Sequence, residues 1–282
     1  MSLPFAIEYP PVPESGYWDK VTSTIDWCEE NYVVTPYIAE AINTISNSVF
    51  ILLALFAIVS SYRNKLEIRF QLISFGFMLV GIGSWLFHMT LKYEYQLLDE
   101  LPMIYATCIP FWSVFSEGAV DYSTVIALGV AFGANLLTAI YLYFKDPTIH
   151  QVAYALLNLF IILKANSLVD AHVQNARDKS LLRWTMFKGV GTFLLGYFLW
   201  NCDVHLCNLW IHIRRTVGMP YGFFFELHAW WHVFTGLGVY YYMIYLQYLR
   251  IFLIGQQSQY EVYHHLGFFP EVRLVAVKTK EN

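Results

Sequence analysis

"FFFELHAWWHVFTGLGVYYYMIYLQY", residues 223–248, is apolar and long enough to cross a bilayer as a helix, yet it carries His228 and His232. A separation of four residues puts both imidazoles on one helical face, the spacing that soluble zinc hydrolases use in H-E-x-x-H. Ala229 stands where that motif has its glutamate. A zinc site here therefore needs a third ligand and a proton acceptor from elsewhere in the chain.

The composition agrees with a membrane setting. Charged residues make up 13% of the 282 residues, about half the share of an ordinary soluble domain, and hydrophobic residues make up 57%. Seven stretches are long enough to span the hydrocarbon, at roughly 38–60, 70–89, 97–116, 122–144, 149–169, 184–203 and 223–248. The expected fold is an all-α membrane protein, a seven-transmembrane helix bundle with an intramembrane zinc site. Residues 1–36 form a polar, proline-bearing amino-terminal segment without the apolar core of a cleavable signal peptide, 37–249 the seven-helix domain and 250–282 a tail.

Lys and Arg set the orientation. One side of the membrane collects Arg63, Lys65, Arg69, Arg177, Lys179, Arg183 and the four basic residues of the tail. The other side has Lys20, Lys92, Lys145, Arg214 and Arg215. The excess makes the tail cytosolic and the amino end lumenal or exterior. Lys164 and Lys188 lie near cytosolic helix ends, where a long side chain can snorkel. The terminal "KTKEN" resembles a dilysine retrieval signal for the endoplasmic reticulum, which works only on a cytosolic tail.

Ionisable residues inside spans are costly and point to function. "GSWLFHMTLKYE" places Ser84 and His88 four residues apart at the end of the second span, and "QLLDELPM" carries Asp99 and Glu100 into the third. By the charge-derived topology, His88, Asp99, His228 and His232 all reach the same membrane level. Three neutral histidines with an open fourth position fit a catalytic zinc site, where the metal lowers the pKa of water to about 7. Asp99 supplies the carboxylate that Ala229 cannot, and Ser84 can donate to a developing oxyanion or orient a ligand. Glu226 points to another face.

A second acidic group, "DWCEENYVVTPYIAE", gathers Asp26, Glu29, Glu30, Asn31 and Glu40. These are hard oxygen ligands suited to calcium, though not in the spacing of an EF-hand, and a solvated acidic segment is the plainer reading. Glu40 weighs against it, because it falls at the first span. Cys28, Cys202 and Cys207 all lie on the oxidising side, so Cys28 can pair with either of the others. Cys108, inside the third span, reads as packing.

With these residues assembled, the chain resembles the alkaline ceramidases, in particular the alkaline ceramidase 3 and fungal alkaline phytoceramidase branch. The strings that carry the resemblance are "STIDWCEENYVVTPYIAE", "GSWLFHMTLKYEYQLLDELPMIY", "HQVAY", "FLWNCD" and "HAWWHVFTGLG", spread from residue 23 to 238. The resemblance implies a hydrolase of sphingolipid metabolism that cleaves the amide bond of ceramide, dihydroceramide or phytoceramide to a sphingoid base and a fatty acid. It implies catalytic Zn2+ on His88, His228 and His232, with Asp99 and Ser84 serving the hydrolysis. It further implies structural or regulatory Ca2+ on Asp26, the main-chain carbonyl of Trp27, Glu29, Asn31 and Glu40, and a disulfide between Cys28 and Cys207. The expected partners are the ceramide substrate and the lipid bilayer, not nucleic acid, and the expected setting is the endoplasmic reticulum or Golgi membrane. The rival is a seven-helix lipid receptor with a structural zinc. A site with no fourth protein ligand argues for the enzyme, since structural zinc sites are normally closed. A transporter would show inverted repeats, and none is found.

Overall fold

The computed structural model describes residues 3–267 and 269–275, so the expected dilysine motif lies outside the described residues. Nine α-helices are described: α1 (Ala41–Ser46), α2 (Ser48–Arg63), α3 (Ile68–Thr90), α4 (Tyr93–Phe115), α5 (Ser123–Phe144), α6 (Pro147–His172), α7 (Ala176–His205), α8 (Cys207–Val217) and α9 (Leu227–Leu253). A β-hairpin, β1 (Tyr260–His265) and β2 (Phe269–Leu274), follows. Helix covers each of the seven apolar stretches. Among the described residues, four helical stretches are long and apolar enough to cross a membrane: Ala41–Arg63, α3, α5 and α6. The helices α4, α7 and α9 match them in length, at 23, 30 and 27 residues.

Some boundaries differ from expectation for local reasons. The last long helix begins at Leu227 rather than 223, because Tyr221–Phe225 winds as a 3-10 turn. The α6 start is set by Asp146, whose carboxylate accepts from Thr148 N at 2.9 Å, with Pro147 at the first helical position where its missing N–H costs nothing.

The chain forms two compact units. The first comprises Met1–Leu52, Phe77–Pro102 and Gly191–Leu237, and it contains all the candidate metal and catalytic residues. Its apolar core joins the amino-terminal segment to α3: Tyr32, Ala39, Phe87 and Leu91 are buried together, with Trp18, Ile25, Trp27 and Tyr95 packed against them. Main-chain bonds tie the same parts, Ala39 N to Met89 O at 2.9 Å and Glu40 N to His88 O at 3.0 Å. The short α1 is capped from a distance, since Glu29 accepts from both Ile42 N and Asn43 N at 2.8 Å. A carboxylate at that end answers both the unpaired donors and the helix dipole.

The second unit comprises Leu53–Gly76, Met103–Val190 and Gly238–Asn282. The hairpin belongs to it and was not anticipated in the tail. Its strands pair antiparallel in the register Tyr260↔Leu274 to His265↔Phe269. Leu266 and Gly267 turn it, at φ of 52° and 80°. Phe269 stacks on Tyr240 of α9 at 4.7 Å, and the buried Glu271 accepts from Ser60 at 2.8 Å, Asn64 at 3.1 Å and His265 at 2.8 Å. A second anchor in this unit is Arg250, which bonds Glu67 at 2.6 Å and both oxygens of Glu117 at 2.8 Å.

Candidate metal and catalytic site

Three histidines meet inside the first unit. His88 comes from the last turns of α3, and His228 and His232 from the first turns of α9. Their ring centroids lie 4.6 to 5.0 Å apart, each ring is buried, and one ligand nitrogen from each lies within 4.8 Å of the other two. Among the described residues this is the group whose geometry suits a metal ion.

What surrounds the rings fits a metal. The Glu40 carboxylate accepts from His88 Nδ1 at 2.5 Å, and Ser46 Oγ lies 2.7 Å from His232 Nδ1. With both Nδ1 atoms engaged, Nε2 is the nitrogen left to serve as ligand, the usual division of labour in histidine metal sites. The His228 ring is held differently. Trp27 stacks on it at 4.3 Å with 22° between the planes, and His228 Nδ1 is buried without a partner among the described residues. A buried nitrogen left open inside a ring of three imidazoles is what a bound cation would complete.

The sequence builds this convergence locally. Asp203, near the end of α7, accepts from His228 N at 3.3 Å and from Cys28 N at 3.3 Å, so one carboxylate caps α9 and grips the amino-terminal segment. Arg214 of α8 is fully buried and bridges the same two parts, donating to Cys28 O at 2.5 Å and to Glu226 Oε2 at 2.7 Å. Cys28 and Cys207 form a disulfide, with Cα atoms 5.3 Å apart, while Cys202 and Cys108 are free. Ser46 and Asp203 are not singled out by the sequence, and Arg214 enters there only through the balance of basic residues. Asp203 does stand in "FLWNCD", one of the strings behind the resemblance, and Arg214 stands beside Arg215 in the last turn of α8.

Ser84 of α3 and Asp99 of α4 are brought together as neighbours, the hydroxyl acting on the carboxylate. Gly83 makes this possible. A Cβ there would collide with the Leu98 carbonyl, so glycine is what lets α3 and α4 close up beside the pair. Ser84 lies one turn before His88 on α3 and is itself buried.

The acidic cluster is partly assembled. The Asp26 carboxyl interacts with Asn31 and Glu40, and Asp26 Oδ1 also accepts from Trp27 N at 3.1 Å. Asn31 Oδ1 and Glu40 Oε1 are buried acceptors without a donor among the described residues. Glu29 faces the N-terminus of α1 instead, with Glu40 as an electrostatic neighbour. Burial raises the pKa of Asp26, and burial together with the charge of Glu40 lifts Glu29 to about 8. Carboxylates gathered away from water and short of donors form an environment that favours a cation. Glu226, expected on another face, points to Arg214 and away from solvent.

The ceramidase family model matches residues 19–273. The chain is 45% identical to alkaline ceramidase YPC1 of Saccharomyces cerevisiae, over 95% of its own length and 89% of that protein. It is 40% identical to alkaline ceramidase 3 of Mus musculus, over 93% and 96% of the two chains, and 32% identical to an alkaline ceramidase of Arabidopsis thaliana, over 94% and 98%. The match runs through the amino-terminal segment, the helices that carry the three histidines and the greater part of the hairpin. On this combination of histidine cluster and matched length, the chain belongs to the ceramidase family and is a hydrolase of that family.

Proposed function

We propose that the chain is a zinc-dependent intramembrane amidohydrolase that cleaves ceramides into a sphingoid base and a fatty acid. The observation that carries the reading is the buried triad His88, His228 and His232, two of its rings oriented by Glu40 and Ser46, in a member of the ceramidase family. Three nitrogen ligands and no fourth among the described residues leave room for substrate. Zinc held there would supply Lewis-acid activation of water and of the amide carbonyl.

The chain's own residues do the rest. Asp99, held by the Ser84 hydroxyl, takes the proton of the attacking water and delivers it to the leaving nitrogen, so that the sphingoid base departs as a neutral amine. Glu40 and Ser46 keep the rings turned with Nε2 toward the reacting atoms. Trp27, stacked on His228, screens that ring from water.

Asp26, the Trp27 carbonyl, Glu29, Asn31 and Glu40 would hold calcium, which neutralises the buried carboxylates and braces the segment that Trp27 belongs to. Glu40 then serves both sites, one oxygen on His88 and the other, unpartnered, toward the acidic cluster. All seven long helical stretches span the membrane in this reading. The histidine side is lumenal, the hairpin-bearing tail is cytosolic, and the membrane is that of the endoplasmic reticulum or Golgi. The basic residues flanking the helices support that orientation.

Asp99→Asn tests the function. An enzyme loses ceramide turnover while retaining its zinc, whereas a lipid receptor built on the same triad has no turnover to lose.

A further inference from the structure

Thr235 lies seven residues after His228 and three after His232, on the face of α9 that carries both rings. Its side chain is 5% exposed, and its hydroxyl has no hydrogen-bond partner among the described residues. Threonine and serine in helices usually bond the carbonyl one turn back. This chain does so at Thr44, Ser74, Thr90, Thr107, Thr185 and Thr216. Thr235 departs from that pattern in the apolar interior of the helix that builds the metal site. A buried hydroxyl without a partner is disfavoured, so a group from outside the chain is expected to complete it.

The neighbouring helix does not complete it. Gly196 of α7 packs directly on Thr235, where a Cβ would come within 3.0 Å of Thr235 Oγ1 and 3.2 Å of Phe234 and Trp231. Gly196 brings no polar side chain, and the α7 residues around it, Phe193 and Tyr197, present rings to Trp231 at 5.4 and 6.3 Å. One flank of the hydroxyl is thus closed by apolar packing. By helical spacing Thr235 stands on the same side of α9 as His228 and His232.

We infer that Thr235 is a specificity-determining residue whose hydroxyl bonds a hydroxyl of the sphingoid base. The inference rests on the ceramidase reading above. With the amide carbonyl at the histidines, the hydroxyl-bearing carbons of the base lie next to the carbon that carries the amide nitrogen. Three residues of helix rise about 4.5 Å, so Thr235 is offset from His232 by a distance on the scale of that polar head. A site that bonds a substrate hydroxyl discriminates against analogues lacking it, which gives the residue a measurable signature.

The test measures kcat/KM of wild type, Thr235→Val and Thr235→Ser on dihydroceramide, phytoceramide and the 1-deoxy and 3-deoxy analogues of dihydroceramide. Thr235→Val keeps the shape and removes the hydroxyl. The expected result is a loss of about three- to tenfold, the worth of one neutral hydrogen bond, on substrates carrying one particular hydroxyl. The substrate without that hydroxyl should be cleaved equally by both proteins, and Thr235→Ser should restore the preference. A uniform loss across the panel, as a bound water or simple packing would give, overturns the inference, and so does no loss. Failure of the wild type on every substrate overturns the ceramidase reading itself. If Thr235→Val does not fold, Thr235→Ala, which removes the hydroxyl without adding bulk, carries the same expected and contradicting results.

Discussion

Glu40 Oε2 lies 2.5 Å from His88 Nδ1, with the two side chains 0% and 1% exposed. The carboxylate fixes which ring nitrogen faces the triad, and Ser46 does the same for His232 at 2.7 Å. Partners of this kind commonly change metal affinity by about 10- to 100-fold. Glu40→Gln and Ser46→Ala should therefore each weaken zinc binding in a competition titration against a chromophoric chelator. Only Glu40→Gln should also weaken calcium binding. Unchanged zinc affinity in both would remove the orienting role.

Asp99→Asn should lower kcat by about 10²- to 10⁴-fold, the usual range for a general acid–base group, with zinc content unaltered. Ser84→Ala loses the hydrogen bond that steadies Asp99 and should cost less, about tenfold. Metal analysis beside steady-state rates separates the two effects. A fall in zinc content with Asp99→Asn would make the carboxylate part of the metal site instead.

Arg214 is a buried cation whose partners, Cys28 O and Glu226, connect the amino-terminal segment to the start of α9. Arg214→Met leaves Glu226 buried and unpaired, and should destabilise the protein by about 3–5 kcal/mol. The double variant Arg214→Met with Glu226→Gln should recover a substantial part of that loss. Thermal unfolding in detergent reads both. A single variant as stable as wild type would contradict the clamp.

Glu271 holds the hairpin. Burial alone would raise its pKa, but bonds from His265, Ser60 and Asn64 outweigh burial and lower it from 4.5. Because the folded value lies below the unfolded one, the stabilisation is present above pH about 4.5 and is lost as pH falls through the depressed value. Limited proteolysis after Tyr260 should accelerate on acidification below that pH. In Glu271→Gln it should be faster already at neutral pH and change little with acid.

Much of the candidate site is legible in the sequence because its residues are of rare types in apolar surroundings. His228 and His232 stand out by helical spacing, and His88 and Asp99 by lying where ionisable groups are costly. The pairing of Cys28 is narrowed by topology to Cys202 or Cys207, and the resemblance selects the partner that the structure bonds. The supporting residues are less visible. Ser46 looks like any helical serine, and its value comes from a ring 186 positions away. Asp203 acts through main-chain donors at Cys28 and Leu227–His228, which no side-chain pattern announces. The hairpin is hidden for another reason. "YEVYHH" and "FPEVRL" are short, and their strand pairing depends on Tyr240, Ser60 and Asn64, residues far away in the chain.

The most direct test of the account is mass-spectrometric measurement of the products released from a ceramide by the purified protein, with His232→Ala as control and zinc content determined for both. The account predicts that the wild type releases fatty acid and sphingoid base in equal amounts and that His232→Ala, depleted in zinc, releases neither. Absence of release by zinc-loaded wild type in the presence of calcium, at every pH from neutral to alkaline, would contradict it.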